Sequence, residues 1–273
     1  MGGTEAAGLF DVARDALLCA DPDDKCRRVN ALESAWRSGA LARSGSVPPR
    51  AVPRPGRPAR PRLVAPRELA RRRLGSPRGR AALVHALAHI EFNAINLALD
   101  AVYRFRDLPS GFYGDWLRVA REEARHFLML RARLRELDHD YGDFDAHDGL
   151  WQAACDTAHD ALARMALVPR VLEARGLDVT PGIMARLRAV GDRRTAACLA
   201  VILHDEIGHV AVGTRWFLHL CRQRGLVPRD TFRRLLREYM KNLPRGPLHV
   251  AARRQAGFSG AELDDLERMA CGQ

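Results

Sequence analysis

Two stretches far apart in the chain, REEARHFLML (121–130) and HDEIGHVAVG (204–213), both spell Glu-x-x-His among apolar residues. That repetition restricts the fold more than any other feature. Residues three apart share a face of an α-helix, so Glu123 projects with His126 and Glu206 with His209. Val119 and Phe127 flank Glu123 one turn to each side, and Ile202 and Val210 flank Glu206, so both pairs lie on the apolar side of their helices. A carboxylate on a core face is costly unless something neutralises it. A metal ion is one solution, because carboxylate and imidazole together suit iron, manganese or zinc. Zinc alone fits less well, since structural zinc prefers cysteine and four ligands.

Two lone acids show the same oddity. Glu91 sits between Leu87 and Ile95, and Glu173 follows Leu172 with Leu162 and Ala166 below it. Glu91 precedes Glu123 by 32 residues and Glu173 precedes Glu206 by 33. Each half of the chain therefore reads as a helical hairpin carrying one lone Glu and one Glu-x-x-His. Glu173 has a second reading, an exposed last-turn glutamate, because it lies near an expected helix end and close to Pro169.

The remaining pattern is helical throughout, and no stretch alternates as a strand would. Short helices are expected over 5–19 and from the Asp21-Pro22 cap to Ser38 before Gly39. Ser76-Pro77 caps the first long helix, with Leu83, Leu87, Ile90, Ala94, Ala98 and Val102 at helical spacing. DLPSGFYGD breaks it. A second long helix is expected over 115–138, with Trp116, Val119, Ala120, Phe127, Leu130 and Leu134 on one side. A third spans 150–175, bent at Pro169 and stopped at Gly176. Thr180-Pro181 caps a short helix, a fourth long one runs over 192–224, and two more cover 228–242 and 259–270. The last opens on a capping box, Ser259 with Glu262. Between the N-terminal helices and Ser76 runs a segment rich in Pro, Arg and Gly, whose composition reads as an extended or disordered, solvated linker. The expected divisions are a helical segment (1–40), a Pro/Arg-rich linker (41–75), a helical bundle (76–225) and a helical extension (226–273).

The formal charge of +11 invites a nucleic-acid reading. Yet thirteen arginines against one acid, Glu68, lie between Arg37 and Arg80, so the body of the chain is near neutral. RNA is thus a subordinate partner in this reading. The six cysteines form no CxxC pair and read as reduced thiols. With no basic n-region before an apolar stretch, no secretory signal is expected, and the apolar runs are broken by charges short of a membrane span. The chain reads as cytoplasmic.

The spacing of the six candidate ligands resembles that of ferritin-like dinuclear carboxylate proteins, in which two helices each give one Glu and two others each give a Glu-x-x-His. HIEFNAINLALDA, REEARHF, VPRVLEARGLDVTPG and HDEIGHVAVG carry the resemblance, over about residues 77–225. The chain looks like the ferritin-like superfamily of rubrerythrins, ribonucleotide reductase small subunits and bacterial di-iron monooxygenases, and more closely like a bacterial ferritin-like family of unassigned function. The resemblance implies an all-α, ferritin-like four-helix bundle with a long crossover between its second and third helices and helical extensions at both ends. It implies two iron ions (or manganese, or a mixed pair) held by Glu91, Glu123, His126, Glu173, Glu206 and His209. It further implies that Asp205 hydrogen-bonds a ligand histidine; for Glu122 that role stands beside a solvent-facing one. His85, His89 and His204 read as ordinary core or surface histidines, only His85 being placed to approach the site. The first expectation is an O2-activating oxidoreductase of the hydroxylase or monooxygenase type, acting on a small molecule or modified nucleoside with an external electron donor. A ferroxidase, iron-handling or peroxide-scavenging protein is the second expectation, and a metal-free helical binding protein the third. Substrate and oligomeric state are not legible.

Overall fold

Side-chain caps set the helix starts. In a computed structural model, which describes residues 8–69, 73–240 and 246–270, the Asp21 carboxylate accepts from the Asp24 N–H at 2.7 Å, and the Ser76 hydroxyl from Gly79 at 3.1 Å. Pro22 and Pro77 follow at the first helical position, where no N–H is needed. The chain is all-α: no β-strand occurs among the described residues, only isolated bridges pairing Gly8 with Ala42 and Leu63 with Ala146.

The chain divides into two compact units, Met1–Cys155 and Asp156–Gln273. The division falls inside the 76–225 segment, so each hairpin belongs to its own unit. In the first unit α3 (Pro77–Arg104) and α4 (Ser110–Arg135) form the hairpin. α1 (Leu9–Leu18) packs on α3, α2 (Pro22–Arg37) packs on α4, and α5 (Gly149–Asp156) runs to the boundary between the units. The second hairpin is less regular. α6 (Ala161–Leu167) passes through a π-helical turn (Val168–Glu173) into α7 (Ala174–Ala189), which folds back on α8 (Arg193–Gln223). α9 (Pro228–Tyr239) lies on α6 and α8, α10 (Val250–Gln255) on α7 and α8, and α11 (Gly260–Ala270) on α9. The Ser259–Glu262 capping box is formed, the Ser259 N–H donating to Glu262 at 2.9 Å and the Glu262 N–H to the Ser259 hydroxyl at 3.3 Å.

Several local expectations need correction. The apolar face of α4 is buried as expected, but on α3 Ile90 is 42% exposed, while from Glu91 to Tyr103 the helix is buried on every side. α4 begins at Ser110, so the break after α3 is shorter than DLPSGFYGD suggests. Gly176 does not stop a helix and Thr180-Pro181 does not cap one, because α7 runs through both. An interior proline costs about 3 kcal/mol. Burial of Leu177, Met184 and Leu187 against the neighbouring helices outweighs it, at roughly 1.5–3 kcal/mol each. The Pro/Arg-rich segment is extended but held down. Its Arg50 N–H donates to the Tyr103 hydroxyl at 2.8 Å, Pro53 O accepts from the Trp151 indole at 3.2 Å, and Arg57 and Arg62 pair with Asp148 and Asp145.

Two helices, α3 and α8, contain 18-residue windows apolar enough to cross a membrane by length and hydropathy alone. The expectation from charge-broken runs fails here because such windows tolerate a charge or two. In the structure 72% of the α3 window is buried inside the protein, as in the core helix of a globular unit, against 44% for α8. None of Cys19, Cys26, Cys155, Cys198 and Cys221 is in a disulfide; Cys271 lies outside the described residues.

Behind α3, the Lys25 ammonium is fully buried and donates to Ala16 O, Leu17 O and Asn96 Oδ1 at 3.1, 2.7 and 2.6 Å. Burial pulls its pKa down to about 7, from 10.5. The unfolded chain then binds this proton more tightly than the folded one, so Lys25 makes stability rise with pH between about 7 and 10.5. Lys25→Met should lack that slope. Denaturant midpoints at pH 6 and pH 9 are expected to show the wild type gaining on the variant as pH rises; a constant gap would show that the three oxygens hold the amine charged across the range.

Candidate metal centre

Glu91 on α3 and Glu123 and His126 on α4 come together in the first unit, as the spacing led us to expect. All three are buried, Glu123 and His126 completely. The His126 Nδ1–H donates to Glu91 Oε2 at 3.2 Å and to Glu123 Oε2 at 3.4 Å. The local sequence explains the convergence. Glu123 and His126 lie one turn apart on α4, between Val119 and Phe127, which are buried in the hairpin core. Glu91 enters from the facing helix, one residue before Phe92, whose ring lies 5.2 Å from that of Phe127. The Phe92–Phe127 contact thus fixes the register that brings the carboxylate opposite the imidazole.

The electrostatics of this trio favour a cation. Burial alone would lower the His126 pKa, but the Glu123 and Glu91 carboxylates outweigh it and raise it to about 11. Two buried carboxylates thus hold a proton on the ring where a metal would take its place. The geometry agrees. Ligand atoms roughly 2.0–2.2 Å from one ion stand about 3.0–3.5 Å apart in tetrahedral or octahedral arrangement, which is the separation found here. All three ligand atoms lie within 4.8 Å of one another. Carboxylate and imidazole donors without thiolate suit a hard or borderline divalent metal.

In the second unit His209 is fully buried and its Nδ1 lies 3.7 Å from Glu206 Oε2, whose side chain is 12% exposed. Asp192 caps α8 by accepting from the Thr195 N–H at 3.0 Å, and the three-residue spacing within that helix puts Glu206 and His209 on one face. Glu173 is half-buried, the last residue of the π turn. The π turn interrupts the α-helical spacing from Leu162 and Ala166, yet the Glu173 Oε2 is itself buried. Pro169 lies in the turn, and its missing N–H accounts for the break in α-helical bonding there.

The accompanying acids differ. Glu122 is held by Arg118 one turn earlier, 3.4 Å away, and Asp205 is half-buried. Of the other histidines, His204 is exposed. His85 accepts from the Gly142 N–H at 2.9 Å and stacks on Tyr141, so it serves the connection after α4. His89 Nε2 lies 3.1 Å from His147 O and its Nδ1 2.9 Å from the Tyr141 hydroxyl; burial lowers its pKa to about 4. The connection 139–147 is therefore tied to α3, a role that no sequence pattern revealed. Arg170 and Arg253 are buried as well, and no sequence pattern marks them.

Fold and site together define an all-α protein with buried Glu/His clusters that could hold a metal ion. The chain belongs to a family described as "Protein of unknown function (DUF455)", which it matches over residues 18–264. It is 45% identical, over 259 residues covering 91% of this chain and 90% of the relative, to an uncharacterized protein of Haemophilus influenzae. No solved structure matches it.

Proposed function

We propose that this chain is a cytoplasmic oxidoreductase with a dinuclear iron centre of ferritin-like four-helix type, acting with O2 on a small-molecule substrate. The buried Glu91–Glu123–His126 trio carries the reading, with a cation-demanding geometry in one hairpin and its sequence counterpart, Glu206 with His209 and Glu173, in the other. Glu91, Glu123 and His126 would hold one metal and Glu173, Glu206 and His209 the other, the ligand set of the arrangement the sequence resembles. Two ferrous ions there would supply two electrons to O2 for attack on a C–H bond, with an external donor restoring the ferrous state. The protein's part is geometry and dryness. Phe92, Phe127 and Val119 in the first unit and Val210 in the second keep water from the carboxylates. Glu91 and Glu123 must stay ionised to hold a metal, so the proton that His126 gives up as metal enters passes to solvent. Manganese or a mixed pair fits the same donors.

Metal analysis of protein purified from iron-replete cells is expected to give two iron ions per chain. The reduced protein should consume O2 with an optical change absent from apo protein. Consumption sustained by Fe(II) alone would mark a ferroxidase instead, and a chain that binds no metal under either condition would leave only a binding protein.

A further inference from the structure

The turn that carries Glu173 is anchored more heavily than its length requires. Arg170, three residues before Glu173, is fully buried, and its guanidinium lies 4.1, 4.5 and 4.6 Å from the ring centres of Phe232, Phe258 and Phe217. Its Nη2 donates to Glu262 Oε1 at 2.6 Å, so the residue that completes the capping box of α11 also neutralises the turn. On the other side of Glu173, Arg253 of α10 donates through Nη2 to Ala174 O at 3.3 Å and grips Asp178 through Nε and Nη2 at 2.9 and 2.8 Å. The Asp178 side chain is 1% exposed.

Buried ion pairs are a poor route to stability, because desolvation offsets most of their attraction and apolar replacements often do as well. What they supply is direction: a guanidinium fork fixes angles that an aliphatic contact leaves free. Here the Arg170–Glu262 bond, with its guanidinium seated among three aromatic rings, and the bidentate Arg253–Asp178 fork bracket one carboxylate within nine residues of chain (170–178). A carboxylate at the end of a π turn is separated from the regular helix before it, α6, by the turn's own irregular residues.

We propose that α10 and α11 form a clamp on the ligand-bearing turn, with Arg170 and Arg253 as positioning residues for Glu173; this rests on Glu173 being a metal ligand. The C-terminal helices are then part of the metal site, although they bring no ligand to it.

The test is titration of the full-length apo protein with Mn(II), followed by calorimetry and by the spin-resonance signal of free Mn(II). Arg170→Met and Arg253→Met should each weaken one of two sites by about tenfold or more, as loss of groups that orient a ligand does, and leave the other site unchanged. Glu173→Ala should weaken the same site further. Cooperatively folded arginine variants that bind both ions as tightly as wild type overturn the clamp. If Glu173→Ala itself keeps both sites, the ligand assignment fails, and the clamp falls for that separate reason. Should the arginine variants not fold, wild-type hydrogen exchange decides. Coupling is reciprocal, so Mn(II) must slow amide exchange in 250–266 as well as in 168–178. Protection confined to 168–178, or none in either segment, overturns the proposal.

Discussion

Glu123→Ala is expected to cut metal content from two ions per chain to at most one and to abolish O2 consumption by the reduced protein. Glu123 has no exposed surface, and its Oε2 lies 3.4 Å from the Nδ1 of His126. Without it Glu91 and His126 remain, two donors where a stable site needs three or more. The same variant separates the metal's contribution from that of the protein core. A ligand that binds only the folded state adds about 2.7 kcal/mol at one hundred times its dissociation constant. For a chain of this size that is roughly 5–10 °C in melting temperature. The wild type should show that rise when metal is added and Glu123→Ala only a fraction of it. The apo proteins should melt much closer together, because deletion of one of two adjacent carboxylates also relieves their repulsion. Scanning calorimetry with and without Mn(II) gives all four values. Two ions retained by Glu123→Ala would remove the first hairpin's trio from the site.

That trio was readable because its residues obey a local rule. Glu123 and His126 are three apart on a regular helix, and Glu91 stands out as an acid in an apolar run. The same holds for Asp21-Pro22, Ser76-Pro77 and the Ser259–Glu262 box, whose hydrogen bonds close within three residues. The second hairpin was harder to read because it departs from the 3.6-residue period on which such rules rest. Pro169 signals a disturbance, but whether it produces a kink or a π turn depends on what packs around it, and α7 then continues through Gly176 and Pro181. The order of the Pro/Arg-rich segment depends on Tyr103, Asp145, Asp148 and Trp151, more than 50 positions away. Arg170 finds Glu262 92 residues on. Composition shows that arginine is abundant there, and only the fold shows which arginine is buried.

Two glycines of α8 allow the packing around that turn to be tested with opposite signs. A Cβ on Gly213 would overlap Cβ and Cγ of Pro169, so the helix bearing Glu206 and His209 meets the π turn at a point where only glycine fits. A Cβ on Gly208 would meet nothing within 4 Å. Replacing a mid-helix glycine by alanine gains roughly 0.5–1 kcal/mol where space allows, because the unfolded chain loses freedom. Gly208→Ala should therefore melt roughly 1–4 °C above wild type. Gly213→Ala carries the same entropic gain against overpacking of about 1–3 kcal/mol, and a proline ring yields less than a flexible side chain. It should melt below wild type. The displaced turn carries Glu173, so Mn(II) affinity should fall at one site in Gly213→Ala. If Gly213→Ala proved as stable as Gly208→Ala, with both metal sites intact, the turn would yield to the added methyl, and its close approach to α8 would have no part in placing the carboxylate.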